Sequence, residues 1–276
     1  MTTKLGTALE VVTATDPGMV RSHNEDSIAA EKEIGLMVLA DGMGGYNAGE
    51  VASGIAVAML TSEVREALGG QQVNAPDDES GMPQAMTLIR ESAARANAAI
   101  YQTAKSQPQY AGMGTTLVAA LFYDNQVAIG HIGDSRLYRL RGDNFEQVTR
   151  DHSLLQEQID SGMISKEQAR YSQNKNLVTR AVGIDPEVET EVHSYEVEAG
   201  DIYLLCSDGL SDMVVDEDIH ATLSMLRSNL PLAAKQLVQM ANDNGGRDNI
   251  SVILVKVLGD YAVPSGWLAK FKAWFG

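Results

Sequence analysis

The chain has 276 residues, 44% hydrophobic and 21% charged, and its 37 acidic against 21 basic side chains leave a formal charge of −16. That composition suits one large core or two small ones, while so acidic a surface repels nucleic acid and anionic lipid and makes neither an expected partner. A lone cysteine, Cys206, excludes an intramolecular disulfide, and no apolar run approaches the ~20 residues of a membrane span.

From the N-terminus, β-like runs fall at 9–15, 28–30 and 34–40. The polar cluster Arg21-Ser22-His23-Asn24-Glu25-Asp26 separates the first two, and the third runs into Asp41-Gly42-Met43-Gly44-Gly45. A start lacking the charges and apolar block of a leader peptide sets the expectation of a soluble, cytoplasmic protein. Helical stretches follow at 48–68 and 83–105, separated by a loose surface loop. Pro83 opens the second, and Met86, Ile89, Ala93, Ala96 and Ile100 then recur at helical spacing. Strands at 116–123, 126–132 and 135–141 join through hairpin-sized turns such as Tyr123-Asp124-Asn125, which favours antiparallel pairing. The last two are linked by Gly133-Asp134-Ser135-Arg136. The polar segment 156–182 reads as short helices and an exposed flap. Strands at 191–197 and 202–206 lead into Ser207-Asp208-Gly209, helices follow at 216–226 and 232–242, and Gly246-Arg247-Asp248-Asn249 precedes a final strand at 250–257. Clustered strands with helices segregated in pairs describe an α+β layered domain over 1–257. Residues 258–276 form a C-terminal tail in which Leu268, Phe271 and Phe275 share one helical face. A tail docked on its own domain is the favoured reading, and a partner-binding or membrane-surface helix is the alternative.

The chemistry lies in the clusters that terminate the apolar runs. Asp41 is the first polar residue after a buried strand, and the glycines behind it let a backbone carbonyl approach whatever Asp41 binds. Ser207-Asp208-Gly209 repeats that arrangement, and Asp248 stands at the opening end of a third buried strand. Three such carboxylates, if they converge, raise one another's pKa unless a cation compensates them. Oxygen-only ligands suit magnesium or manganese. Arg21 supplies a planar fork for a phosphate dianion at the same end, with Glu25 and Asp26 placed to orient water around the metals. Cys206 lies inside an apolar strand and reads as an inert buried thiol. His131 and His152 read as hydrogen-bonded structural residues, and the methionines within apolar runs as core filling.

Taken in order, Arg-x-x-Asn-Glu-Asp, Asp-Gly-Met-Gly-Gly, Gly114-Thr115-Thr116, Gly-Asp-Ser-Arg, Ser-Asp-Gly and Gly-x-Asp-Asn resemble the bacterial metal-dependent protein phosphatases, the protein phosphatase 2C-like family, over about residues 8–257. The resemblance implies a four-layer αββα sandwich, two antiparallel β-sheets flanked by helix pairs, with metals in a cleft at one end. It implies that Asp41 bridges two Mn2+ or Mg2+ ions, that the Gly42 carbonyl binds one of them, and that Asp208 and Asp248 hold the other. Asp134, with Asp208, resembles the holder of the third ion seen in bacterial members. Arg21 resembles the phosphate-binding arginine and Asn249 a residue steadying water on the metals. The implied reaction is attack of metal-activated water on phosphoserine or phosphothreonine of proteins, opposing a serine/threonine kinase. Two readings remain beside it: a catalytically silent relative that binds phosphoproteins, and a partner-switching phosphatase of a sigma-factor pathway. Tyr46 stands where bacterial relatives often carry histidine, and Ser172-Gln173 where many have His-Pro.

Overall fold

The computed structural model describes residues 5–45, 48–68, 81–169 and 177–262, without the side chains of 166 and 167. Its strands are β1 (Leu9–Asp16), β2 (Asp26–Glu31), β3 (Leu36–Met43), β4 (Gly114–Thr115), β5 (Leu117–Tyr123) and β6 (Gln126–Ile132). They continue with β7 (Arg136–Arg141), β8 (Asn144–Gln147), β9 (Glu191–Glu196), β10 (Ile202–Cys206) and β11 (Ile250–Val257). One sheet runs β1-β11-β10-β7-β8 and the other β2-β3-β5-β6-β9, with β4 paired to β3. Every pairing is antiparallel.

The period-two geometry of a strand explains the layering. On β3, Leu36, Val38 and Ala40 face a core shared with the helices Ala48–Leu68 and Gln84–Ser106, whereas Met37 and Leu39 face the opposite sheet. On β5, Leu117, Ala119 and Leu121 alternate in the same way with Val118, Ala120 and Phe122. In the other sheet Tyr203 and Leu205 point between the sheets, and Ile202, Leu204 and Cys206 point to a third core under the helices Asp216–Met225 and Leu230–Asp243. Three cores separate four layers: helices, sheet, sheet, helices. The central strands are buried on both faces, which is why β5 is a continuous apolar run in sequence.

Small residues set how closely the helices approach. Ala48, Ala52, Ala56, Leu60 and Val64 form one buried ridge at a spacing of four. Gly130 on β6 leaves the space that Ile89 fills, since a Cβ there would lie 2.4 Å from Ile89 Cγ2. Full burial of such a side chain contributes about 1.5–3 kcal/mol. The β5–β6 hairpin turns through Asp124 and Asn125, at φ 44° and 56°, the doubly left-handed turn that Asn and Asp tolerate.

The observed elements follow the expected ones with local shifts. β3 begins at Leu36 rather than 34, because Gly35 at φ 74° closes a 3-10 turn over Lys32–Ile34. The last helix begins at Leu230, capped by the Asn229 side chain, which accepts from Leu232 N–H, with a proline in its first turn. Several elements were not expected, among them the short helix Leu5–Ala8 and β4. β8 is a short edge strand with little buried surface, and Asp208–Ser211 is a helical turn where a loop was anticipated. Packing continues past β11, for Tyr261 is buried against the inter-sheet core and its hydroxyl donates to the Gln126 carbonyl at 3.1 Å. Among the described residues no helix is long and apolar enough to cross a membrane. Tyr46, Ser172, Gln173, Leu268, Phe271 and Phe275 lie outside the described residues.

Candidate active site

Register brings the first two acids together: on the β2–β3 ladder Asp26 is directly opposite Asp41. Asp41 is held by its backbone rather than its side chain. Its N–H donates to Thr116 Oγ1 at 3.0 Å, while its carbonyl accepts from Thr116 N–H and Thr115 Oγ1, each at 2.8 Å. The Asp41 carboxylate meets that of Asp26 side chain to side chain. Thr116 also shares a 2.7 Å hydrogen bond with Ser135, the neighbour of Asp134. The Gly-Thr-Thr motif thus ties the Asp41 strand to the Asp134 turn.

Gly42 sits where no side chain fits. A Cβ would lie 2.2 Å from the Gly49 carbonyl oxygen and 2.6 Å from that of Glu25. Gly209 is equally constrained, with the Asn249 carbonyl oxygen 2.0 Å from a Cβ position, so the Asp208 and Asp248 loops cross in near contact. Asn249 ties this corner together. Its side chain accepts from Glu25 N–H at 2.8 Å and donates to the His23 and Pro17 carbonyls. Ser207 donates to Asp26 Oδ2 at 2.9 Å and accepts from Ser251 N–H. Arg21 Nη2 meets Asp248 Oδ2 at 2.6 Å, with half of the arginine side chain still exposed. All nine residues singled out by the sequence (Arg21, Glu25, Asp26, Asp41, Gly42, Asp134, Asp208, Asp248 and Asn249) therefore meet at one end of the sheets.

The electrostatics are those of an undercompensated cluster. Burial first, and then the charges of Asp26, Asp208, Asp134 and Asp248, push the Asp41 carboxyl well above its usual range. Asp208 is raised by burial and by Asp134, Asp212, Asp248 and Asp26. Asp134 is raised to about 7 and Asp26 to about 6, each chiefly by burial. The only direct guanidinium contact described for these acids is Arg21 on Asp248. Asp26 Oδ1 and Asp208 Oδ1 are buried without any hydrogen-bond partner, and an unsatisfied buried acceptor costs about 1–3 kcal/mol. An all-oxygen set with orphaned acceptors and excess negative charge fits hard divalent cations.

Sequence reasoning missed several participants. Asp212 bears on both Asp134 and Asp208; its signal was the four-residue spacing from Asp208, once that stretch is recognised as helical. Thr115 and Ser207 carried motif positions but no assigned role. Among the described residues the trio of ligand atoms lying within 4.8 Å of one another is His131, His152 and Glu191, and the aspartates are gathered more loosely. That trio is poorly disposed to hold an ion. His152 Nδ1 accepts from Gly133 N–H at 3.1 Å, which places the ring proton on Nε2, the atom facing Glu191. A metal on Nε2 would force a proton onto Nδ1 against another N–H, the reverse of the acceptor contact that ligating histidines make.

Two antiparallel sheets between helix pairs, with aspartates gathered at one end of the sheets, agree with the architecture that the resemblance to metal-dependent phosphatases implied. The chain matches the sequence profile described as protein phosphatase 2C over residues 20–251, and it belongs to that family. It is 40% identical over 254 residues to the serine/threonine protein phosphatase PstP of Mycobacterium tuberculosis, a match covering 92% of this chain and 46% of PstP. This chain therefore spans about half the length of that relative. It is 38% identical over 245 residues to the serine/threonine phosphatase stp of Listeria monocytogenes, covering 88% of this chain and 93% of stp. A crystal structure of the PstP catalytic domain in complex with two manganese ions superposes with a TM-score of 0.77 at 38% identity, covering 91% of this chain and 99% of that one.

Proposed function

We propose that this chain hydrolyses phosphoserine and phosphothreonine in proteins at a binuclear Mn2+ or Mg2+ centre. Asp41, Asp208 and Asp248, with the Gly42 carbonyl, would hold the two ions, and Asp134 with Asp208 would hold a third. When bound, such ions supply Lewis-acid polarisation of a phosphoryl oxygen and lower the pKa of a water. The chain's own groups do the rest. Arg21, exposed on one side and fixed by Asp248 on the other, presents N–H donors to the phosphate dianion. Asp26, oriented by Ser207 Oγ, is placed to orient water at the site. Asn249 fixes the Glu25 backbone, so that Glu25 lies beside Arg21 and Asp248. The phosphoryl group passes to water, and the serine or threonine hydroxyl leaves with a proton.

One observation carries this reading: a family-typical cluster of carboxylates meets at one sheet end with acceptor oxygens that no protein donor satisfies. A silent phosphoprotein-binding relative would have lost metal carboxylates, and Asp41, Asp134, Asp208 and Asp248 are all present. The proposed substrates are phosphoproteins of the cytoplasm, including a serine/threonine kinase that the enzyme opposes. The deciding measurement is phosphate release from phosphoserine and phosphothreonine peptides with added Mn2+ and with chelator. Release that is indifferent to chelation would overturn the assignment.

A further inference from the structure

His152 is buried, 8% exposed, and belongs to none of the motifs that place the aspartates. Its contacts converge on one peptide unit. The His152 N–H donates to the Gly133 carbonyl at 2.9 Å, and the Gly133 N–H donates to His152 Nδ1 at 3.1 Å. Gly133 is thereby gripped by both of its backbone groups. It needs such a hold, for it sits at φ 101° and a Cβ there would lie 2.8 Å from Thr116. Gly133 begins the turn that passes from β6 in one sheet to β7 in the other, and Asp134 is the next residue.

The rest of the ring is equally committed. His152 Nε2 faces Glu191 Oε2 at 3.4 Å, and the ring stacks on His131 at 4.7 Å between centroids. His131 is itself anchored to the Arg150 carbonyl at 2.9 Å. The His152 carbonyl accepts from Thr179 N–H at 2.8 Å, and the neighbouring Ser153 bridges Val178, so the same residue fastens the returning end of the flap. Burial, the stacked His131 and Arg180 lower the pKa of the ring, outweighing the opposite pull of Glu191. The ring is accordingly neutral at neutral pH and keeps Nδ1 as an acceptor.

We propose that His152 is a positioning residue for Asp134, clamping Gly133 through Nδ1 so that the turn holds its carboxylate toward Asp208; this rests on the reading of Asp134 as a metal ligand. The geometry distinguishes the two ring nitrogens, and amide isosteres test each separately. In His152→Asn the amide oxygen takes the place of Nδ1 and still accepts from Gly133. In His152→Gln the amide reaches the place of Nε2, keeping Glu191 and losing Gly133.

The experiment pairs hydrogen–deuterium exchange of peptides covering 131–136 with calorimetric Mn2+ titration of native protein, both variants and Asp134→Asn. Expected is a rise of about tenfold or more in exchange at Gly133 and a 10–100-fold weaker Asp134-dependent Mn2+ site in the glutamine variant. The asparagine variant should stay within about threefold of native in both, by the same reasoning on a retained supporting contact. Equal behaviour of the two variants, or a glutamine variant like native, overturns the clamp. If Asp134→Asn removes no Mn2+ binding, the Asp134 assignment fails on its own and the exchange measurement still judges the contact to Gly133. Should either variant not fold, nitrogen-15 spectra of native protein decide: the clamp requires an unprotonated Nδ1 coupled to the Gly133 amide, and the opposite tautomer refutes it.

Discussion

Strand β10 carries an aspartate just beyond each end, and the two are kept in opposite ways. Asp201, 1% exposed, is paired with the Arg141 guanidinium at 2.8 and 2.7 Å and further held by Glu198 N–H and the Tyr203 hydroxyl. Asp208, five apolar residues and one serine later, has one buried oxygen without a partner and carboxylates as its named electrostatic neighbours. Buried charge is tolerated only when compensated. The chain builds the compensating cation into one end of the strand and leaves the other end to be compensated by something it binds. Acidity alone therefore does not mark a site; acidity without a resident partner does.

The contrast is broken most severely at the cleft end. Asp208→Asn or Asp41→Asn should lower Mn2+-dependent hydrolysis of p-nitrophenyl phosphate by more than about 10³-fold, the several kcal/mol that metal chemistry supplies, while thermal melting of the metal-free protein stays level or rises. At the other end the effect should fall on folding. Arg141→Ala strands Asp201 and should cost about 3–5 kcal/mol in urea unfolding, with the Mn2+ requirement of the remaining folded enzyme unchanged.

The pH dependence of the metal-free protein sharpens the same comparison. Asp26 and Asp134 hold protons up to about pH 6 and about pH 7 when folded, against roughly 3.9 when unfolded. Between those limits the folded state binds the extra protons, so the stability these two groups contribute is fully present below about pH 4 and is lost as pH rises toward 7. Melting curves in chelator should show that decline, and Mn2+ should flatten it. A decline that persists unchanged in Asp134→Asn and Asp26→Asn would mean that other groups are responsible. The smallest expected effect is at Arg21, whose side chain is half exposed. Arg21→Ala should raise KM for phosphopeptides about tenfold, near 1.4 kcal/mol, with kcat changed less.

Much of this was legible because it is local. An apolar strand followed by Asp-Gly, or a Tyr-Asp-Asn hairpin, announces itself within a handful of residues, and Asp248 stands just before β11 as that pattern placed it; Asp41 instead lies within β3, which continues to Met43. β8 was missed because Asn144–Gln147 has neither alternation nor burial enough to register. The helical turn at Asp208 was missed because Asp-Gly favours a loop when judged by propensity, and with it went Asp212. The partners of Thr116 and His152 were illegible for a different reason. Thr116 stood in a motif and His152 read as a hydrogen-bonded structural residue, but their hydrogen bonds reach residues 75 and 19 positions away, and no periodicity encodes those.

Tyr261 closes the gap beneath the β5–β6 turn, its N–H on Asn125 Oδ1 and its hydroxyl on the Gln126 carbonyl. A fluorescent reporter spliced directly after Val257 would unplug that ring and open the seam between the sheets to solvent. The same reporter attached beyond Ala262 would leave the plug seated, and the difference would surface as leakier, more protease-sensitive material rather than as altered chemistry.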